Sequence, residues 1–336
     1  MPSSLTLKQL AQILNLAPST VSRALKGHPD ISEETRKRVR EYALRYHYHP
    51  NAVARSLRDR RSYLIAVVVP HLTDVYYARV VSGIIGYASD RGYRTLVFES
   101  KGFSEKETGI CLSLQKSGVE GVIIAPVENN TFSHLEELKT GGIPLVVFDH
   151  IIGDFESDRV VENNFESACL AVNHLIGQGC RHIMHIAGSL HLLWAQKRQM
   201  GYIQALTDWL IPVDNALILP FRSLENLSNE VLPMIRARHV DGIFALNDEI
   251  GLEILKILRQ AGFRVPEEIA VCGYGNIPAG VFGCPALASV DRQEKQVGEA
   301  AMELLLKRIE KKRQTTFETC LIKNKLVLRE SALLVK

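Results

Sequence analysis

No run of about 18 uninterrupted apolar residues occurs in this 336-residue chain, so nothing in it reads as a membrane-spanning helix. The N-terminus, MPSSLTLKQLAQ, lacks the charged-then-apolar order of a signal peptide, and a cytoplasmic protein is expected. Cysteine is sparse. The six (Cys111, Cys169, Cys180, Cys272, Cys284 and Cys320) include no C-x-x-C pair, which favours reduced thiols over a disulfide framework. There is no nucleophile elbow, no phosphate loop and no paired-carboxylate arrangement; GGIP and GYGN are turns, not a Gly-rich fingerprint opening a helix. An enzyme is therefore not expected, and no cofactor is implied. Cys180, His182, His185 and His191 lie close together in sequence, but His182 and His185 diverge on opposite faces of a predicted strand, so no metal site is expected.

What the chain does have is basic charge at one end. The net charge is +3. Residues 1–62 hold twelve Lys/Arg against five Asp/Glu, a balance of +7, while the remainder stands at −4. A basic head on a mildly acidic body points to nucleic acid or another anionic surface. With 46% hydrophobic and 23% charged residues, the chain has ample material for two or three folded domains.

The head carries a helix-turn-helix pattern. Thr6 and Gln9 form a capping box ahead of Leu7, Leu10, Ala11 and Leu14, and Asn15 closes that helix. Pro18 stands at the first position of a second helix, expected to run from Ser19 to about Lys26. It buries Val21, Ala24 and Leu25 and exposes Ser19, Thr20, Ser22 and Arg23, and Gly27 ends it. A third helix follows Ser32, with Glu33 and Glu34 in its positive first turn. Hydroxyls and an arginine near the start of the second helix suit insertion into a DNA groove, although a plain three-helix bundle has the same outline. Next comes HPNAVARSLRDRRS, a helix too short to stand alone in water. Leu57 between Arg55 and Arg58 makes sense as a minor-groove wedge that orders on DNA; otherwise it is a charged linker.

These stretches, together with ISEETRKRV, VCGYGNIP and LVLRES, carry a collinear resemblance to the lac-repressor (LacI/GalR) family of bacterial transcription regulators. The resemblance implies a homodimer on a pseudo-palindromic operator in double-stranded DNA. Thr6, Pro18, Ser19, Thr20, Ser22, Arg23, Lys26 and Ser32 would face DNA from the head, and Asn51, Ala54, Arg55, Leu57 and Arg58 from the hinge. Arg23 would read a guanine edge, whereas Thr20, Ser22, Lys26 and Ser32 would meet phosphates.

The remaining chain reads independently as α/β. Apolar runs at 63–70, 95–100, 121–126 and 144–149 alternate with helical patterns, and the alternation repeats at 182–188, 216–220, 241–246 and 268–274. The expected fold is thus an all-α helix-turn-helix head and a periplasmic-binding-protein-like α/β core of two doubly wound parallel-sheet lobes. The boundaries expected are 1–50 for the head, 51–62 for hinge and linker, and 63–336 for the core. By resemblance, lobe 1 takes about 63–162 and 291–322, and lobe 2 takes 163–290 and 323–336.

Ligands of such sheets bind at the carboxyl ends of the strands. That rule selects Tyr76, Tyr77, Asp149, His150, Trp194, Arg198, Phe221, Asn247, Asp248 and Gly275 as effector contacts, and the family resemblance adds Arg292. The aromatics could equally be core, and Asp248 reads also as the N-cap of DEIGLEILKIL. Arg198 aligns with an arginine the family commonly uses on effector oxygens. Two positions depart from the family pattern: Gly275 stands where an aspartate is usual, and Arg292 where a glutamine is usual. Both changes make the expected cleft more positive, which suggests a sugar acid or sugar phosphate over a neutral sugar, unless Arg292 pairs with Asp291 or Glu294. The expected function is an allosteric regulator, a repressor of carbohydrate-related genes, with a dimer rather than a coiled-coil tetramer because no heptads follow LVLRES. The alternatives are a free-standing small-molecule receptor without a DNA role, or a corepressor-type regulator sensing a nucleobase.

Overall fold

A computed structural model of the chain describes residues 5–25, 27–46, 48, 61–127, 132–149, 155–310 and 316–333. The chain divides into two compact units, Met1–Tyr63 and Leu64–Lys336.

In the first unit, α1 (Leu7–Leu14) opens with both halves of the Thr6–Gln9 capping box and closes on Asn15, in the left-handed conformation at φ 51°. Helix α2 (Pro18–Leu25) begins at the proline itself, one residue earlier than expected. Helix α3 (Glu33–Arg45) is capped by Ser32. The apolar faces of the three meet in one small core of Leu10, Ala11, Leu14, Val21, Ala24, Val39 and Ala43. With so few buried residues, each deleted methylene would be felt.

The second unit holds two six-stranded sheets. The first has the order β11-β5-β4-β3-β1-β2, with β1 at Leu64–Val69, β2 at Arg94–Glu99, β3 at Gly121–Ile124, β4 at Leu145–Phe148, β5 at Asp158–Glu162 and β11 at Thr319–Ile322. The second has the order β12-β10-β9-β8-β6-β7, with β6 at Ile183–Ala187, β7 at Ile218–Pro220, β8 at Gly242–Phe244, β9 at Ala270–Tyr274, β10 at Ala288–Asp291 and β12 at Lys325–Val327. All pairings are parallel except β10 with β12. Helices α4 (Val75–Asp90), α5 (Ser104–Leu114) and α6 (Ser133–Thr140) connect strands of the first sheet. Helix α7 (Asn164–Gly177) leads from β5 into the second sheet, where α8 (Leu193–Asp208), α9 (Leu224–Arg238) and α10 (Asp248–Gln260) connect strands, and α11 (Glu294–Glu310) returns to the first. The chain passes between sheets after β5, after β10 and between β11 and β12.

The eight apolar runs all contain strands, but four strands had no such run. The charged ends of DRVVE hide β5, and β10, β11 and β12 are only three or four residues long. ALILP starts as a 3-10 turn, so β7 begins only at Ile218. Helix α4 starts at Val75, where the Asp74 side chain caps it by accepting the Tyr76 N–H. That cap places both tyrosines in the first turn.

Two glycines set how closely α4 and α11 cross. A Cβ on Gly298 would lie 2.2 Å from the Val80 carbonyl oxygen, and one on Gly83 would lie 2.4 Å from that of Lys295. Gly86, on the same α4, has open space around it. Gly298→Ala is therefore expected to lower stability by about 1–3 kcal/mol through overpacking. Gly86→Ala should raise it by up to about 1 kcal/mol through helix propensity. Thermal denaturation of the two variants checks the opposite signs.

Candidate effector cleft and DNA-reading face

Strand ends from both sheets surround a cavity of about 220 Å3. The first sheet contributes Tyr76 and Tyr77, beyond β1, and Asp149, beyond β4. The second contributes Trp194 and Arg198 on α8, Asn247 and Asp248 beyond β8, and Gly275 beyond β9. Arg292 enters from the crossing after β10. Phe221 is not part of this wall. It follows the edge strand β7, one strand further out, and packs against the apolar core of the second lobe. His150 lies outside the described residues.

Arg292 is the centre of a tight network. Its guanidinium stacks 3.4 Å from the Tyr76 ring centroid and donates to both oxygens of Glu162 and to Asp149 Oδ1 at 3.0 Å. The Tyr76 hydroxyl donates to Glu162 Oε2 at 3.0 Å, and that of Tyr77 to Asp149 Oδ2 at 2.8 Å. Burial would lower the Arg292 pKa, but Glu162, Tyr76 and Asp149 hold it above its ordinary value. Burial, then the Asp149 charge, pushes both phenols up, so they stay neutral hydrogen-bond donors. Arg292 thus pairs with Glu162 and Asp149, not with Asp291 or Glu294. The extra positive charge expected from it is cancelled, and the argument for an acidic ligand loses that support. Five carboxylates, those of Asp74, Asp149, Asp248, Glu249 and Glu294, line the cavity beside two arginines.

Arg198 differs. It is 4% exposed and donates through Nε to Asn164 Oδ1 and through Nη1 to the Leu246 carbonyl, each at 3.0 Å. Tyr274 and Trp194 cover it at 3.5 and 4.5 Å from their centroids. It forms no ion pair with a described carboxylate, and its Nη2 donates to no described residue. Burial lowers its pKa accordingly. A guanidinium in this state favours an oxygen-bearing ligand.

The N-cap of α10 is Asn247, whose side chain accepts the Ile250 N–H; the Asp248 expectation is corrected by one residue. Asp248 is buried and accepts from the Ser289 hydroxyl and the Ile277 N–H, while burial raises its pKa. Gly275 sits at φ 131°, where a side chain is strained, and a Cβ there would lie 3.9 Å from Asp248 Oδ2. Glu162, Asn164, Tyr274 and Glu294 were missed from sequence. Tyr274 obeys the strand-end rule but ends an apolar run, and Glu162 ends the unrecognised β5.

His185, once a metal candidate, is stacked between Tyr202 and Phe244, bonds the Phe244 carbonyl oxygen, and is pushed down to about 4 by burial. It is a neutral core residue. No cluster of three His, Cys, Asp or Glu among the described residues is placed to hold a metal. No described helix is long and apolar enough to cross a membrane.

In the first unit, Pro18, Ser19 and Arg23 are exposed on α2, with Thr20 and Ser22 half-buried beside them. The Arg23 guanidinium makes no hydrogen bond or ion pair with a described residue. The hydroxyls of Thr6 and Ser32 are committed to the caps of α1 and α3. Lys26, Asn51, Ala54, Arg55, Leu57 and Arg58 lie outside the described residues.

Removing Arg292 would leave Glu162 and Asp149, 2% and 7% exposed, without their cation. Arg292→Ala is expected to cost about 3–5 kcal/mol of stability, the range for breaking one side of a buried pair. Adding Glu162→Gln should recover part of that loss, and urea denaturation of the single and double variants at neutral pH measures both.

Comparison with known proteins agrees with this division. Residues 6–51 match the model of bacterial regulatory proteins of the lacI family, and residues 172–332 match a periplasmic binding protein-like domain. The HTH-type transcriptional repressor PurR of Actinobacillus pleuropneumoniae serotype 3 is 30% identical over 97% of this chain and 98% of its own. PurR of Aliivibrio fischeri (strain MJ11) is 28% identical, covering 91% and 92%. Among solved structures, the transcriptional regulator CelR–cellobiose complex is 26% identical with a TM-score of 0.72, covering 97% of this chain and 99% of that one. The lac repressor dimer bound to operator and the anti-inducer ONPF shares the fold, with a TM-score of 0.75 at 22% identity and coverage of 99% and 100%. A basic helix-turn-helix and a two-lobed cleft, matched along nearly the full chain, make this protein a transcription regulator rather than an enzyme, and it belongs to the lacI family of bacterial regulatory proteins.

Proposed function

We propose that the protein is a repressor that binds a pseudo-palindromic operator as a homodimer and releases or grips it according to a neutral, hydroxyl-rich effector of the sugar type. The observation that carries the effector class is the charge of the cavity wall. An anionic ligand would meet the carboxylates of Asp74, Asp248 and Glu249, which form no ion pair with a described cation, while Arg292 is already neutralised by Glu162 and Asp149 and Glu294 is paired with Arg79. A polyol instead finds acceptors for its hydroxyl protons and a donor, Arg198, for its oxygens. Guanidinium groups already cover one face of Tyr76 and one face of Tyr274, which leaves less ring surface for a stacked base. A nucleobase corepressor is the second reading, favoured by the PurR relatives. Effector binding acts by changing the relative stability of two lobe orientations, and operator affinity shifts by that difference.

The effector class is tested by thermal shift with neutral sugars, sugar acids, sugar phosphates and purines. Ligand at 100 times its Kd should stabilise the protein by about 2.7 kcal/mol. The expected result is a shift with neutral sugars only. A shift with purines alone transfers the reading to a corepressor, and a shift with acids alone rejects the charge argument. For the DNA-reading face, Arg23→Ala should weaken binding to a duplex selected from a random pool by about 1–3 kcal/mol, and bind scrambled duplex nearly as before. Equal losses on both duplexes, read by fluorescence anisotropy, would remove Arg23 from base recognition.

A further inference from the structure

A second cavity of about 240 Å3 lies beside the crossing segments. It shares Asp149 and Trp194 with the first, so the two are chambers of one cleft. Its remaining wall comes from the end of β5 and the segment that follows it, from Leu321 on β11, and from Leu193 and Lys197 at the start of α8.

The chemistry of the two chambers differs. The inner one is rich in carboxylates and guanidinium groups. The outer one adds the apolar Val161, Phe165, Leu193 and Leu321 to a wall that also holds Glu162, two asparagines, Lys197 and Glu166. Leu193 and Leu321 are 36% and 52% exposed. Neither is among the buried core residues described. Apolar side chains left open beside a ligand cavity are stabilised when a ligand covers them.

We infer that the outer chamber is a second subsite, occupied by the second ring of a two-ring glycoside whose first ring lies in the inner chamber. This rests on the sugar reading of the cleft given above. A pyranose has apolar C–H faces and a rim of hydroxyls. Its faces suit Phe165, Leu193 and Leu321, and its rim suits the Lys197 ammonium and the Glu166 carboxylate. The bond between the rings passes Asp149 and Trp194, the two residues common to both chambers. The second ring touches crossing segments of the chain, so the ligand holds the part of the molecule where the lobes are joined.

The test is calorimetry on the full chain with glucose, galactose, cellobiose, maltose and lactose. At least one disaccharide should bind about tenfold or more tightly than either of its monosaccharides. Leu193→Trp fills the outer chamber from a partly exposed position that does not line the inner one. It should remove the disaccharide's advantage and leave the monosaccharide Kd within about twofold. Lys197→Met, at an exposed site, should weaken the disaccharide alone. The inference is overturned if a monosaccharide binds as tightly as every disaccharide that contains it, or if both variants weaken the two lengths alike; in either case the sugar reading stands. If no sugar of either length binds, the sugar reading itself fails and takes the second subsite with it.

Discussion

A guanidinium taken out of water loses several kcal/mol of hydration unless carboxylates meet it in good geometry, and the cleft is organised around one that is met twice. Arg292 leaves β10 at the crossing between lobes and closes on Glu162, at the end of β5, and Asp149, at the end of β4. Those two carboxylates in turn receive the Tyr76 and Tyr77 hydroxyls. Five side chains from four separate stretches are therefore held in one arrangement, and the first-lobe wall of the cavity is made before any ligand arrives. Preorganisation of this kind lowers the ordering cost of binding.

Arg198 has no such closure, and the contrast gives the cavity its directionality. Its neighbours Asn164 and Tyr274 belong to a buried polar cluster at the crossing, where Asn324 donates to the Tyr274 hydroxyl and the Asn324 N–H donates to Asn163 Oδ1. The residue most in need of a ligand oxygen is thus one hydrogen bond from the segments along which the lobes are joined. Several residues around the cavity hold backbone conformations that side chains rarely adopt: Asp149 at φ 70°, Asn276 at φ 47° and Gln293 at φ 54°. Strain of that kind persists only where surrounding bonds over-determine it. At Asn276 they do, since its N–H, side chain and carbonyl are engaged by Ser289, Asp291, Arg329 and Arg79.

The two units use charge in opposite ways. In the helix-turn-helix, Arg23 is exposed and unpaired among the described residues, ready for a partner that brings its own negative charge. In the cleft, the cations are buried and either paired or stacked on aromatic rings. A mildly acidic body carrying arginines inside and a basic head carrying them outside is the arrangement expected when one end meets a polyanion and the other a small molecule.

Local pattern was enough for the helix-turn-helix and for eight of the twelve strands described, β5 and β10 to β12 excepted. The capping box at Thr6, the proline opening α2 and the alternation of apolar runs with helical periods act within a few residues, and each produced its helix or strand. The strand-end rule likewise found most of the cavity wall, because a parallel sheet points all its strand ends one way. Pairings between distant residues were beyond that reach. Arg292 meets Glu162 across 130 positions, so its charge looked unopposed in the chain and is neutralised in the fold. Phe221 looked like a strand-end contact and lies one strand too far out. The order of residues determined which side chains could be brought to the cleft; strand order and burial decided which of them still carry a charge that a ligand can feel, because both are set by neighbours far away along the chain.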